Sequence, residues 1–121
     1  MPFILSKVNV PLTVEQQALL TSGLGRAIEF IPGKTAASLM TGFEADAHLY
    51  LRGDNSKPMA YITVAVFANP EQCGYGQLSH AITRLFQNTL GIEADRIYIK
   101  YEDIPAWSVA GQLFSETVKR T

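Results

Sequence analysis

The sequence predicts an α+β fold: two βαβ repeats forming a four-stranded mixed sheet with two helices on one face. Three observations lead there. The chain repeats itself at an offset of 58 residues (61 − 3), pairing Phe3 with Tyr61, Ile4 with Ile62, Val8 with Val66, Leu20 with Leu78, Gly33 with Gly91, Phe43 with Tyr101 and Glu44 with Glu102. Each half reads as strand, helix, strand. The run Met59–Ala68 is β-branched, aromatic or apolar almost throughout, as in a strand buried on both faces.

The elements follow in order. Phe3 to Val10 alternates, with Ile4, Val8 and Val10 on one face and Phe3, Leu5, Lys7 and Asn9 on the other. Pro11 ends that strand. Thr13 with Gln16 three residues on is a capping box, and Leu20, Leu24, Ala27, Ile28 and Ile31 then recur at helical spacing. Pro32-Gly33 stops the helix. Ser38 to Phe43 reads as a second strand and His48 to Leu51 as a short third one, before the turn-rich joint Arg52–Ser56. After Met59–Ala68, Asn69-Pro70, Gly74 and Gly76 mark a loop. A second helix carries Leu78, Ile82, Leu85, Phe86 and Leu90 on one face and stops at Gly91. Arg96 to Tyr101 is a further strand. Beyond Ile104 the pattern is weak, with Leu113-Phe114 as a candidate edge strand and Ser115 to Thr121 as a polar tail expected to fray. Residues 1–121 are read as a single domain, with pseudo-repeats at about 2–57 and 58–114 and a tail at 115–121. Two helices on one sheet face leave the other uncovered. Its expected apolar character points to closed packing against further copies of the chain.

Composition excludes several function classes. Hydrophobic residues make up 47% and charged residues 17%, which is ordinary for a folded domain. The net charge of −1 and the lack of a basic stripe argue against a nucleic-acid partner. No apolar run approaches the roughly 20 residues of a membrane span, and no signal peptide is evident. The one cysteine, Cys73, permits neither an internal disulfide nor a CxxC pair. A reducing, cytoplasmic setting is expected, with export independent of a signal peptide left open. His48 and His80 lack partners at ligand spacing, so no metal site is expected.

The candidate chemistry sits at the amino terminus. Pro2 directly follows Met1 and directly precedes a strand. Removal of Met1 leaves a secondary amine fixed at the strand head. Burial lowers the pKa of such an amine from about 7.7–8.0, which suits a general base. While Met1 remains, the same nitrogen is an amide with no basic lone pair.

The chain resembles the macrophage migration inhibitory factor branch of the tautomerase superfamily, which includes the phenylpyruvate tautomerases. The likeness rests on Pro2 with Asn9-Val10-Pro11, on Gly33-Lys34, on Gly53-Asp54-Asn55-Ser56-Lys57-Pro58-Met59-Ala60, and on Asp95-Arg96-Ile97-Tyr98-Ile99. It covers residues 1 to about 114. The resemblance implies a homotrimer with active sites between subunits. It implies keto–enol tautomerisation of 2-oxo acids such as phenylpyruvate, with no metal or cofactor. Pro2 then matches the base, Lys34 the cation that binds the substrate carboxylate, and Phe67 the residue whose backbone N–H binds the same group. Tyr98 matches a tyrosine lent by the neighbouring subunit, and Val109 an apolar wall. Lys100 stands where some relatives have an asparagine touching the far end of the substrate, which favours a smaller or doubly acidic one.

Taken one by one, these residues admit plainer roles. Lys34 fits a cation complementing a helix end, Tyr98 a cross-strand aromatic, Phe67 a core residue, and Lys100 a solvated strand residue. The chain also departs from the family pattern. Met59-Ala60-Tyr61-Ile62 replaces the Cys-x-x-Cys of some relatives, and Trp107, Gly111 and Phe114 are displaced fragments of the usual C-terminal pattern. Two further functions therefore stand beside the tautomerase. One is a non-catalytic binding or signalling protein that keeps the trimer and pocket. The other is a related decarboxylation or hydration of a small acid.

Overall fold

In the computed structural model, which describes residues 1–115, the chain runs β1 (Pro2–Val8), α1 (Val14–Ala27), β2 (Met40–Glu44), β3 (Ala60–Phe67), α2 (Tyr75–Leu90), β4 (Ile97–Ile104), β5 (Ala106–Val109) and β6 (Gln112–Ser115). The first four strands form one mixed sheet in the order β2-β1-β3-β4. The outer pairs are parallel and the central β1–β3 pair antiparallel. Each half is thus a βαβ unit, and the two units join through their first strands.

Alternation decides which face of β1 is inside: Pro2, Ile4, Ser6 and Val8 are buried, while Phe3, Leu5 and Lys7 are half-buried. Ile4, Val8, Ile62, Val64 and Val66 from the sheet meet Leu20, Leu24, Leu78, Ile82 and Phe86 from the helices in one core. Each fully buried aliphatic or aromatic side chain contributes about 1.5–3 kcal/mol there. The capping box forms as its sequence predicts. The Gln16 N–H donates to Thr13 Oγ1 at 3.0 Å, and the Thr13 N–H donates to Gln16 Oε1 at 2.9 Å. Asn9 pins the end of β1 to the entry of β3. Its side-chain nitrogen donates to the Lys57 carbonyl at 3.0 Å and its oxygen accepts the Met59 N–H at 2.8 Å.

Four expectations change. The second strand starts at Met40, because Ala36–Ser38 form a 3₁₀ turn capped by the Thr35 hydroxyl. His48 to Leu51 forms no strand; only an isolated bridge joins Leu51 to Asp54. β4 extends to Ile104. The weakly patterned tail forms an antiparallel hairpin, in which the anticipated Leu113-Phe114 strand is β6 and pairs with the unanticipated β5. Ser115 closes β6, and the rest of the tail lies outside the described residues. The open face of the sheet is also less apolar than the Met59–Ala68 run suggests. Tyr61 and Thr63 point there, flanked by the ion pairs Lys7–Glu44 at 3.7 Å and Lys100–Glu102 at 3.4 Å.

Candidate active site

Pro2 occupies a position in the sheet that suits proline. It lies opposite Val66 in the antiparallel β1–β3 ladder, and the next ladder bond outward runs from the Phe67 N–H to the Met1 carbonyl at 3.3 Å. Pro2 and Val66 are therefore a non-hydrogen-bonded pair, and the missing N–H of proline costs no ladder bond. On the other side of β1, pairing with β2 begins only at Phe3–Met40. The Pro2 ring is buried on the helix side.

Lys34 reaches this end through a tight reversal. The first helix passes into a 3₁₀ turn at Ile28–Phe30, and the Lys34 N–H then donates to the Ile31 carbonyl at 3.1 Å. Pro32 fills the second position of this four-residue turn, and Gly33, at φ +78°, fills the third. This is the residue order a type II turn requires. The half-buried Lys34 faces the chain's amino terminus. The Met1 amine is held below its ordinary value of 8.0, first by burial and then by the Lys34 charge. Burial lowers Lys34 as well. Two cations at one partly desolvated spot favour loss of a proton from one of them.

Phe67 ends β3 beside Pro2, and its ring meets the Phe114 ring edge to face, with centroids 6.5 Å apart. The hairpin thus lays an aromatic side chain against the end of β3 nearest Pro2. The sequence placed Phe114 on a candidate edge strand but not its partner strand, on which Trp107 lies opposite it. The loop leaving β3 is held by Asp103, whose carboxylate accepts the Asn69 N–H at 2.7 Å. Asp103 lies opposite Val66 on β4, so Pro2, Val66 and Asp103 share one row across the sheet.

Pro2, Lys34 and Phe67 therefore converge. Tyr98 does not join them within one chain. It lies five residues before Asp103, about 16 Å down the strand. There, 57% exposed, it lines an open groove of about 280 Å³ with Leu49, Tyr50, Met59 and Arg96. Lys100 lies on the open sheet face, over the Tyr61 ring at 5.7 Å and paired with Glu102. Its contacts hold its pKa above the usual lysine value, with Tyr61 first and Glu102 second. Val109 is on β5, 47% exposed. Among the described residues no group of three His, Cys, Asp or Glu side chains is placed to hold a metal ion, and no helix is long and apolar enough to cross a membrane.

The geometry has parallels among solved structures. The chain is similar to a crystallised MIF2 from Leishmania major, at 26% identity and TM-score 0.84, covering 94% of this chain and 97% of that one. It is similar to a macrophage migration inhibitory factor homologue from Prochlorococcus marinus, at 29% identity and TM-score 0.78, covering 93% and 99%. A fused 4-OT that forms an asymmetric trimer shares the fold, at 19% identity and TM-score 0.78, covering 91% and 94%. No curated protein matches the chain by sequence. Residues 1–115 match the model of the macrophage migration inhibitory factor (MIF) family, and the chain belongs to that family.

Proposed function

We propose that the chain, once Met1 is removed, is a cofactor-independent keto–enol tautomerase of phenylpyruvate-like 2-oxo acids, with the Pro2 amine as general base. The reading rests chiefly on one observation: Lys34 faces the amino terminus at the head of β1, where burial and then the Lys34 charge hold the Met1 amine below its ordinary pKa. A neutral secondary amine there takes a proton from the carbon next to the ketone. The C–H electron pair becomes the C=C bond, and the C=O π pair moves onto oxygen. Protonation of that oxygen gives the enol, and the reverse sequence gives the keto form. Lys34 and the Phe67 N–H bind the carboxylate. In the proposed homotrimer a neighbouring subunit supplies the Tyr98 hydroxyl to the developing oxyanion. Val109 lines the apolar side of the site, and Lys100 of the neighbour faces the far end of the substrate.

The test follows phenylpyruvate enol–keto conversion by absorbance, with the amino terminus verified by intact mass. Replacing Pro2 by alanine is expected to lower turnover by about 10²–10⁴-fold. Full activity in that variant sinks the proline mechanism. Negligible turnover in the Met1-free wild type, with small acids still bound, favours the non-catalytic binding protein instead.

A further inference from the structure

The contact between Met1 and Phe67 has a consequence for binding as well as for catalysis. The Phe67 N–H is the last donor of β3 on the side facing β1, and its acceptor is the Met1 carbonyl at 3.3 Å. No other residue of β1 takes its place, because Pro2 is the first residue in register with β3. We propose that the residue ahead of Pro2 is a backbone plug on the carboxylate subsite, so that its removal creates the base and opens the anion anchor in one step. This rests on the reading of the Pro2 site given above, and it adds that the unprocessed chain fails to bind substrate as well as to turn it over.

The plug is made of main chain. Any residue preceding Pro2 presents the same carbonyl at the same place, whatever its side chain. Once that residue is gone, the Phe67 N–H has no protein partner in the ladder. A half-buried backbone donor left in that state seeks an acceptor. Beside it lies Lys34, at the corner where the amino terminus sits. An N–H and the Lys34 cation at a partly desolvated corner form a site for a carboxylate. With Met1 in place the positive charge is still present, carried by the Met1 amine beside Lys34, but the N–H is occupied and the residue fills the approach. Charge alone therefore predicts that both forms bind acids, whereas the plug predicts that only one does.

The experiment compares two proteins of defined mass: the Met1-free wild type and the Met1-retaining wild type made with methionine aminopeptidase inhibited. The probe is 3-phenylpropionate, which carries the aryl group and carboxylate but no ketone to react. Binding is followed by calorimetry and by the Phe67 amide resonance. The Met1-free wild type is expected to bind, with the Phe67 amide shifting on titration. The Met1-retaining protein is expected to bind at least about tenfold more weakly. Without ligand, its Phe67 amide should exchange with solvent at least about tenfold more slowly than in the Met1-free protein. Equal probe affinity with and without Met1, or equal exchange at Phe67, overturns the plug. Absence of phenylpyruvate turnover in the Met1-free wild type overturns the tautomerase reading alone, since neither plug readout depends on chemistry.

Discussion

Lys34 acts on the amino terminus in two separable ways, and a single substitution reads both. As a cation it opposes protonation of the amine beside it, ranking after burial among the causes of the depressed pKa. As a donor it is the proposed carboxylate anchor. Lys34→Ala is therefore expected to raise the pKa of the base, moving the acid limb of the kcat/KM profile to higher pH. It should also raise KM for phenylpyruvate by about tenfold through loss of a charge-assisted bond. Lys34→Arg should keep the limb near its original position. A limb that stays in place in Lys34→Ala assigns the low pKa to burial alone. Stability carries the same sign. For the chain with Met1, the folded amine binds its proton more weakly than the unfolded one. Stability is thus unaffected above the ordinary value of 8.0. It falls as the pH drops from there to the depressed folded value, then levels off. Lys34→Ala should shrink that loss. Pro2 was legible as a candidate from its place between Met1 and a strand, and Lys34 from the resemblance that Gly33-Lys34 helps carry. The Phe67 donor's bond to Met1 was not, because a backbone contact leaves no trace in side-chain pattern.

At the scale of elements, sequence signals succeeded where local chemistry announces itself. Thr13 and Gln16 made the capping box, and Gly91, at φ +70°, closes α2 in the left-handed conformation that favours glycine. Of the hairpin, β6 was anticipated at Leu113-Phe114 but β5 was not, because the two-residue turn between them is Ala110-Gly111 rather than Asn-Gly. Both residues have positive φ, 54° and 79°, and alanine carries that conformation at a cost. Ala110→Asn is accordingly expected to stabilise the protein by about 0.5–1 kcal/mol, read as a rise in the urea midpoint at unchanged slope. His48–Leu51 failed in the opposite sense, having strand-like residues with no ladder to join. Gly74 is the glycine the fold can least replace. Its φ is +82°, and a Cβ there would overlap the Phe30 carbonyl oxygen, in the turn that leads to Lys34. Gly74→Ala should cost at least about 2 kcal/mol in denaturant unfolding, because neither of the two backbones can yield easily. If it costs less than Gly33→Ala, whose Cβ meets nothing within 4 Å, the tight approach of α2 to that turn is not what holds it.

For the whole molecule, the sheet separates the residues of the proposed site. Pro2, Lys34 and the Phe67 N–H lie at one end of the central strands, and Tyr98 lies about 16 Å toward the other end of β4. A single chain cannot bring Tyr98 to its own Pro2 without dismantling the ladder. If Tyr98 serves the reaction, it serves a neighbour's. The exposed groove containing Tyr98, Tyr50 and Leu49 is then where a second copy docks. Mixing inactive variants tests this directly. Pro2→Ala supplies Tyr98 but not the proline base, and Tyr98→Ala supplies that base but no hydroxyl. In a cyclic trimer built at random from equal amounts, about three quarters of the assemblies contain both kinds of subunit. Each of these holds one junction in three where an intact Pro2 faces an intact Tyr98. Unfolding and reassembling the two together should therefore restore about a quarter of wild-type turnover, well above either variant alone. Were each site complete within one chain, the mixture would show only the mean of the two variants. Mixing them without dissociation provides the control, since subunits that never exchange cannot complement.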